Sequence, residues 1–101
     1  MPLAKLEAFD SEIVGLAAFA KALSHPARIE ILKLLAKSGE LPSMEIVRQL
    51  PLSQPACSRH INELTRTGLL TSRTKASNVF FKLDKGALEK FCAGMNKNLH
   101  A

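Results

Sequence analysis

Apolar side chains recur along this chain at helical spacing except between residues 69 and 83, where they gather into two short β-rich runs. The segment from Phe9 to Leu23 sets Phe9, Ile13, Leu16, Ala20 and Leu23 on one helical face, with Asp10 or Ser11 as the N-cap. Ser24, His25 and Pro26 then break and restart the chain, because a capping residue followed by proline in the first turn favours a new helix. That second helix, ARIEILKLLAK, directs Ile29, Leu32 and Leu35 inward and stops near Gly39. Pro42 and Ser43 open a short third helix, SMEIVRQL, closed by Pro51. A fourth begins after the capping Ser53 and ends at Gly68. LLTSRT and VFFKL, separated by KASN, predict a β-hairpin. A last helix from Lys85 to Asn98 carries Leu88, Phe91, Cys92 and Met95 at helical spacing, continued by Leu99.

The most sharply divided stretch is LSQPACSRHINELTRTGLL. Cys57, Ile61 and Leu64 fall at i, i+4 and i+7 and face a core, which leaves Pro55, Ser58, Arg59, Asn62 and Arg66 on the opposite side and Gln54 at the N-terminal tip. A short helix, a tight turn at PLS, a longer helix and a hairpin follow the order of a winged helix-turn-helix. The predicted fold is therefore mainly α, with five helices and a small two-stranded antiparallel wing. In that geometry the polar face of the fourth helix enters the major groove, whose base edges offer hydrogen-bonding groups to Arg, Gln, Asn and Ser. The plainer alternative is the solvated face of an amphipathic helix.

Charge favours the first reading. The chain carries a formal net charge of +5. Between Val47 and Lys82, Arg48, Arg59, Arg66, Arg73, Lys75 and Lys82 stand against Glu63 alone, so this segment accounts for the whole excess. The first 46 residues are slightly acidic. Such asymmetry points to a polyanionic partner.

At 101 residues and 47% hydrophobic, the chain can bury one core, so residues 1–101 are read as a single DNA-binding domain whose terminal helices serve dimerisation. The apolar run from Ile13 to Ala20 is too short to span a bilayer and follows Asp10 and Glu12, where a secretory signal would be positive. A cytoplasmic location without membrane association is expected, and two cysteines 35 positions apart give no disulfide framework. No phosphate loop, nucleophile motif or paired carboxylates support an enzyme or a cofactor. Ser58 and His60, at i and i+2, point to different sides of their helix.

The run from Lys21 to Leu83, and within it ALSHPARIEIL, LSQPACSRHI and the GLL leading into the hairpin, resembles the arsenic-repressor (ArsR) family of small bacterial winged-helix repressors. The resemblance implies a homodimer that binds double-stranded operator DNA of twofold symmetry and releases it when an inducer binds. It places Gln54, Pro55, Ser58 and Arg59 where the family's recognition helix meets DNA, and Arg73 to Asn78, including Lys75 and Ser77, in the wing. Family members that sense metals hold them through a Cys-x-Cys step on the third helix, where this chain has Pro42 and Met44. The other family site begins with Asp-x-His in the last helix; Asp84 is present here, but Gly86 stands at the His position and only His100 lies near the tail. Proline cannot ligate and a thioether is a poor zinc ligand, so no metal site of the family's type is expected. The sequence names no inducer.

The three histidines, His25, His60 and His100, are scattered along the chain and read as ordinary surface or half-buried side chains. Cys57 lies in the first turn of the fourth helix, where the helix dipole can lower a thiol pKa, yet its apolar-face position favours a small buried hydrophobe. Cys92 receives the same reading. Redox sensing at Cys57 or Cys92 is the competing one, in which oxidation or persulfidation of Cys57 disturbs helix packing and weakens DNA binding.

Both terminal helices bear long apolar stripes. Leu6, Phe9, Ile13, Leu88, Phe91, Met95 and Leu99 are candidates for a dimer interface, the alternative being that they only complete one protomer's core. Dimerisation sets two recognition helices ~34 Å apart, one turn of DNA. Within the DNA reading, Gln54, Ser58, Arg59 and Asn62 are candidates for base contacts, and Arg66, Arg73 and Lys75 for phosphate or minor groove. Of Phe80 and Phe81, one is expected to pack inward and the other to cover the wing or the dimer partner. A winged helix that docks protein or RNA through non-specific basic contacts is the alternative function.

Overall fold

The computed structural model describes residues 6–100, with side chains from residue 7 onward. After a 3-10 turn at Leu6–Ala8, helix α1 spans Ser11–Ala22, α2 Pro26–Ser38, strand β1 Glu40–Pro42, α3 Ser43–Arg48 and α4 Gln54–Arg66. Strands β2 (Leu70–Lys75) and β3 (Asn78–Leu83) and helix α5 (Lys85–Leu99) complete the order of a winged helix-turn-helix.

Local chemistry explains most boundaries. Asp10 caps α1, Ser53 accepts from the Ala56 N–H at the start of α4, and Asp84 accepts from the Ala87 N–H at the start of α5. Helix α2 is capped by His25, whose Nδ1 accepts from the Ala27 N–H at 3.0 Å, with Pro26 supplying a pre-set first turn. Gly39 and Gly68, at φ 83° and 88°, end α2 and α4 in a conformation that side chains resist. The wing turns through Ala76 and Ser77, both at positive φ, so the two strands meet through a two-residue loop whose twist suits a hairpin.

The wing is the expected hairpin with one strand added. β1 pairs antiparallel with β3, Glu40 opposite Lys82, giving the sheet order β1-β3-β2. The core lies between the helices and the base of this sheet, built from Ala22, Ile31, Leu32, Leu35, Ile46, Cys57, Ile61, Leu64, Leu69 and Leu70. Phe81 packs against it, whereas Phe80 lies under the Arg73 guanidinium, 5.8 Å from ring centroid to charge.

Two inward assignments, Ile29 and Cys92, do not hold. Ile29 is 46% exposed, because the buried face of α2 joins Ala27 and Ile31, not Ile29, to the expected Leu32 and Leu35. Helix α1 buries Ala22 and packs Phe19 on the core, as does Leu23 just after it, while Ile13 and, ahead of the helix, Phe9 are exposed. Cys92 is exposed rather than buried, since α5 turns Leu88, Phe91 and Gly94 towards the chain.

Helices α1 and α5 lie against each other. Phe19 and Phe91 rings meet at 5.7 Å, Gly94 makes room for Leu16, and Glu12 bonds both Lys97 and Asn98. Beside this contact Phe9 (55% exposed), Ile13 and Leu99 (69%) form apolar surface, Met95 is half-buried, and the Leu6 side chain lies outside the described residues.

Candidate nucleic-acid interface

Helix α4 is held by one face and shows the other. Cys57, Ile61 and Leu64 are buried, so the helical repeat turns Gln54, Pro55, Ser58, Arg59, Asn62 and Arg66 to solvent. Helix α3 packs beside it through buried Ile46, and Gln54 Nε2 approaches the exposed Met44 sulfur at 3.9 Å. The result is an exposed polar ridge along α4.

The basic side chains around this ridge are not equivalent. Arg48 pairs with Glu45 at 2.7 Å, Arg66 with Glu63 through bonds of 3.1 and 2.6 Å, and Arg73 with Glu40 through two bonds of 2.7 Å. The Arg66 guanidinium holds the Glu63 carboxyl below its ordinary value, and Arg73 does the same to Glu40. Arg59 belongs to none of the four ion pairs seen among the described residues. It is therefore the arginine of α4 with its donors unclaimed by a carboxylate. On the wing, Lys75, Ser77 and Asn78 are exposed around the turn, with Arg73 two residues back along β2. The role of Glu40 as the Arg73 partner has no signal in the sequence, where the two are 33 positions apart.

The histidines are not all isolated. His25 and His60, far apart in sequence, bring their rings to 4.3 Å, and Arg28 Nε donates to His60 Nδ1 at 3.1 Å. Burial pushes the His60 pKa down, and the charges of His25, Arg28 and Arg59 push it the same way. Spacing gave no hint of this cluster, because its members come from the start of α2 and the middle of α4.

Cys57 is fully buried and burial pushes its thiol pKa up, the reverse of activation at a helix N-terminus. As for metal, Asp84 spends its carboxylate on capping α5, and no group of three His, Cys, Asp or Glu side chains converges among the described residues. No helix among them is long and apolar enough to cross a membrane.

Comparison with known proteins agrees with this architecture. Residues 23–73 match the family model described as a helix-turn-helix domain. The chain is 38% identical over 63 residues to the arsenic resistance transcriptional regulator ArsR1 of Pseudomonas putida, covering 62% of this chain and 49% of that protein, so it spans about half of that relative's length. It is 34% identical over 79 residues to the arsenical resistance operon repressor of Staphylococcus xylosus, covering 78% and 71%. The structure superposes on an ArsR-like transcriptional regulator from Rhodococcus sp. RHA1 with a TM-score of 0.80 at 25% identity, covering 87% of this chain and 82% of that one.

Proposed function

Since this chain belongs to the ArsR family of DNA-binding helix-turn-helix transcriptional regulators, which are not enzymes, we propose that it works as a homodimeric repressor reading a twofold-symmetric operator. The observation that carries the reading is the exposed polar face of α4, with Arg59 free of carboxylate partners beside Ser58 and Asn62. Arg59 takes the guanine-type contact that a forked donor suits, Gln54, Ser58 and Asn62 take neighbouring base edges, and Pro55 packs at the groove's edge. Arg66, Arg73, Lys75, Ser77 and Asn78 take phosphate or minor groove. For Arg66 and Arg73 this means exchanging Glu63 and Glu40 for phosphate, so part of their binding energy is offset by the ion pairs they leave.

The dimer forms through α1 and α5. Phe9, Ile13 and Leu99 supply exposed apolar surface there, Met95 is half-buried beside it, and Leu88 and Phe91 contribute mainly to the protomer's own packing. The protein acts in the cytoplasm as one domain, and it does not sense metal at the positions the family uses, where Pro42, Met44 and Gly86 stand.

Fluorescence anisotropy of the protein with its own upstream DNA and a scrambled control, at two salt concentrations, tests the function. Tighter binding to the native DNA that survives the higher salt is expected. Equal, salt-sensitive binding to both would overturn sequence-specific reading of this DNA and favour a protein- or RNA-docking role, because phosphate contacts alone give salt dependence without preference.

A further inference from the structure

Arg28 occupies a joint between three helices. Its Nη1 donates to the carbonyl oxygens of Ala22 at 3.3 Å and Lys21 at 3.4 Å, at the C-terminal end of α1, while its Nε donates to His60 Nδ1 on α4. His25, at the start of α2, also brings its ring to 4.3 Å from the His60 ring. The helix that faces solvent with Arg59 is thus tied, through one imidazole, to the end of the helix that packs on α5.

The tie has a chemical condition. Nδ1 of His60 accepts a hydrogen bond, so the imidazole must be neutral with its proton on Nε2. Nδ1 of His25 likewise accepts from the Ala27 N–H. An imidazolium has no acceptor, and a protonated His60 would face the Arg28 donor with a donor of its own, cation against cation. The charged and titratable groups around it are His25 and Arg28 from α2, Lys21 from the end of α1, and Arg59 and Glu63 on its own helix, with Glu63 already held by Arg66. Among the described residues, no carboxylate is left over to stabilise a charged His60.

We propose that Arg28, His60 and His25 form a positioning clamp for the recognition helix that closes only while His60 is neutral, so that DNA binding weakens on mild acidification. This rests on the DNA-binding reading of α4, and its sign separates it from ordinary electrostatics: histidines that gain charge near phosphate tighten DNA binding as the pH falls, whereas the clamp loosens it. The lowered pKa of His60 agrees with the neutral form being the folded one. By linkage, the stability tied to neutral His60 is complete above its ordinary value of 6.5 and declines as the pH falls below it.

The test is operator affinity by anisotropy at constant ionic strength between roughly pH 7.5 and 5.5, a window centred on the histidine range. The wild type is expected to weaken, by about tenfold for each pKa unit by which operator binding lowers His60. His60→Ala should lose affinity at neutral pH, and His60→Asn, whose amide oxygen can replace the Nδ1 acceptor without titrating, should recover part of it and flatten the profile. Constant or rising wild-type affinity on acidification, or a His60→Asn profile as steep as the wild type's, would overturn the clamp. Imidazole 15N NMR of the wild type needs no variant: His60 should be the Nε2–H tautomer in the free protein, and operator should lower its titration midpoint. The other tautomer, or a midpoint raised by operator, also refutes the proposal. Failure of sequence-specific binding at pH 7.5 would instead strike the DNA reading, while the tautomer in the free protein would still judge the clamp.

Discussion

Two positively charged side chains on this surface, Arg59 and Lys75, are expected to do different work because of where they stand. Arg59 projects from the middle of α4, where a forked donor can pair with two acceptors on one base, while Lys75 ends β2 at the wing turn as a compact charge. Arg59→Ala should cost about 1–3 kcal/mol on the operator and relax sequence preference, while Lys75→Ala should weaken operator and scrambled DNA alike. Anisotropy titrations of both variants on both DNAs check the division, and equal losses everywhere would refute it. The cysteines also part company at this scale. Cys92 is exposed and Cys57 is buried with its thiol pushed up, so a maleimide added to the native protein should label Cys92 and spare Cys57 until denaturant is present. Mass spectrometry of the labelled peptides reads the order, and rapid native labelling of Cys57 would restore it as a redox candidate.

At the scale of elements, the wing is more than a hairpin. Its outer cation, Arg73, is held bidentately by Glu40 from β1, a strand of three residues that sequence patterning does not announce because it ends in proline and is too short to alternate. The pair both braces the wing and occupies the guanidinium. Glu40→Gln should therefore spare Arg73 the loss of its carboxylate partner on meeting phosphate, tightening binding to operator and scrambled DNA together. Unchanged affinity for both DNAs would show that Arg73 does not reach DNA. Helix α4, by contrast, was legible from its sequence alone. Its cap at Ser53, its three buried positions and its stop at Gly68 are local or strictly periodic, and each is where the pattern placed it. Helix α2 was legible in extent and, through Leu32 and Leu35, largely in rotation; only Ile29 was misplaced, because it belongs to an apolar run whose face is chosen by what packs on it, and the core selected Ile31 instead.

For the molecule as a whole, exposed apolar surface beside the α1–α5 contact is the feature a lone protomer does not account for. Phe9 and Leu99 are more than half exposed on terminal elements, an arrangement that association would relieve. The double variant Phe9→Glu, Leu99→Glu should run as a monomer by light scattering at micromolar concentration and bind operator far more weakly, with helix content preserved in circular dichroism. A dimer that survives both substitutions would move the interface elsewhere.

The sequence by itself determined the order of the helices and the two hairpin strands, most of the caps and turns between them, the polar face of α4 and the basic middle segment, because each depends on neighbours within a few positions or on a fixed helical repeat. Only the tertiary structure decided which residues separated along the chain would meet: Glu40 with Arg73, β1 with β3, and Arg28 with His60 and His25. Those encounters depend on how helices cross and strands stack, and side-chain periodicity carries no record of the neighbour a face will find.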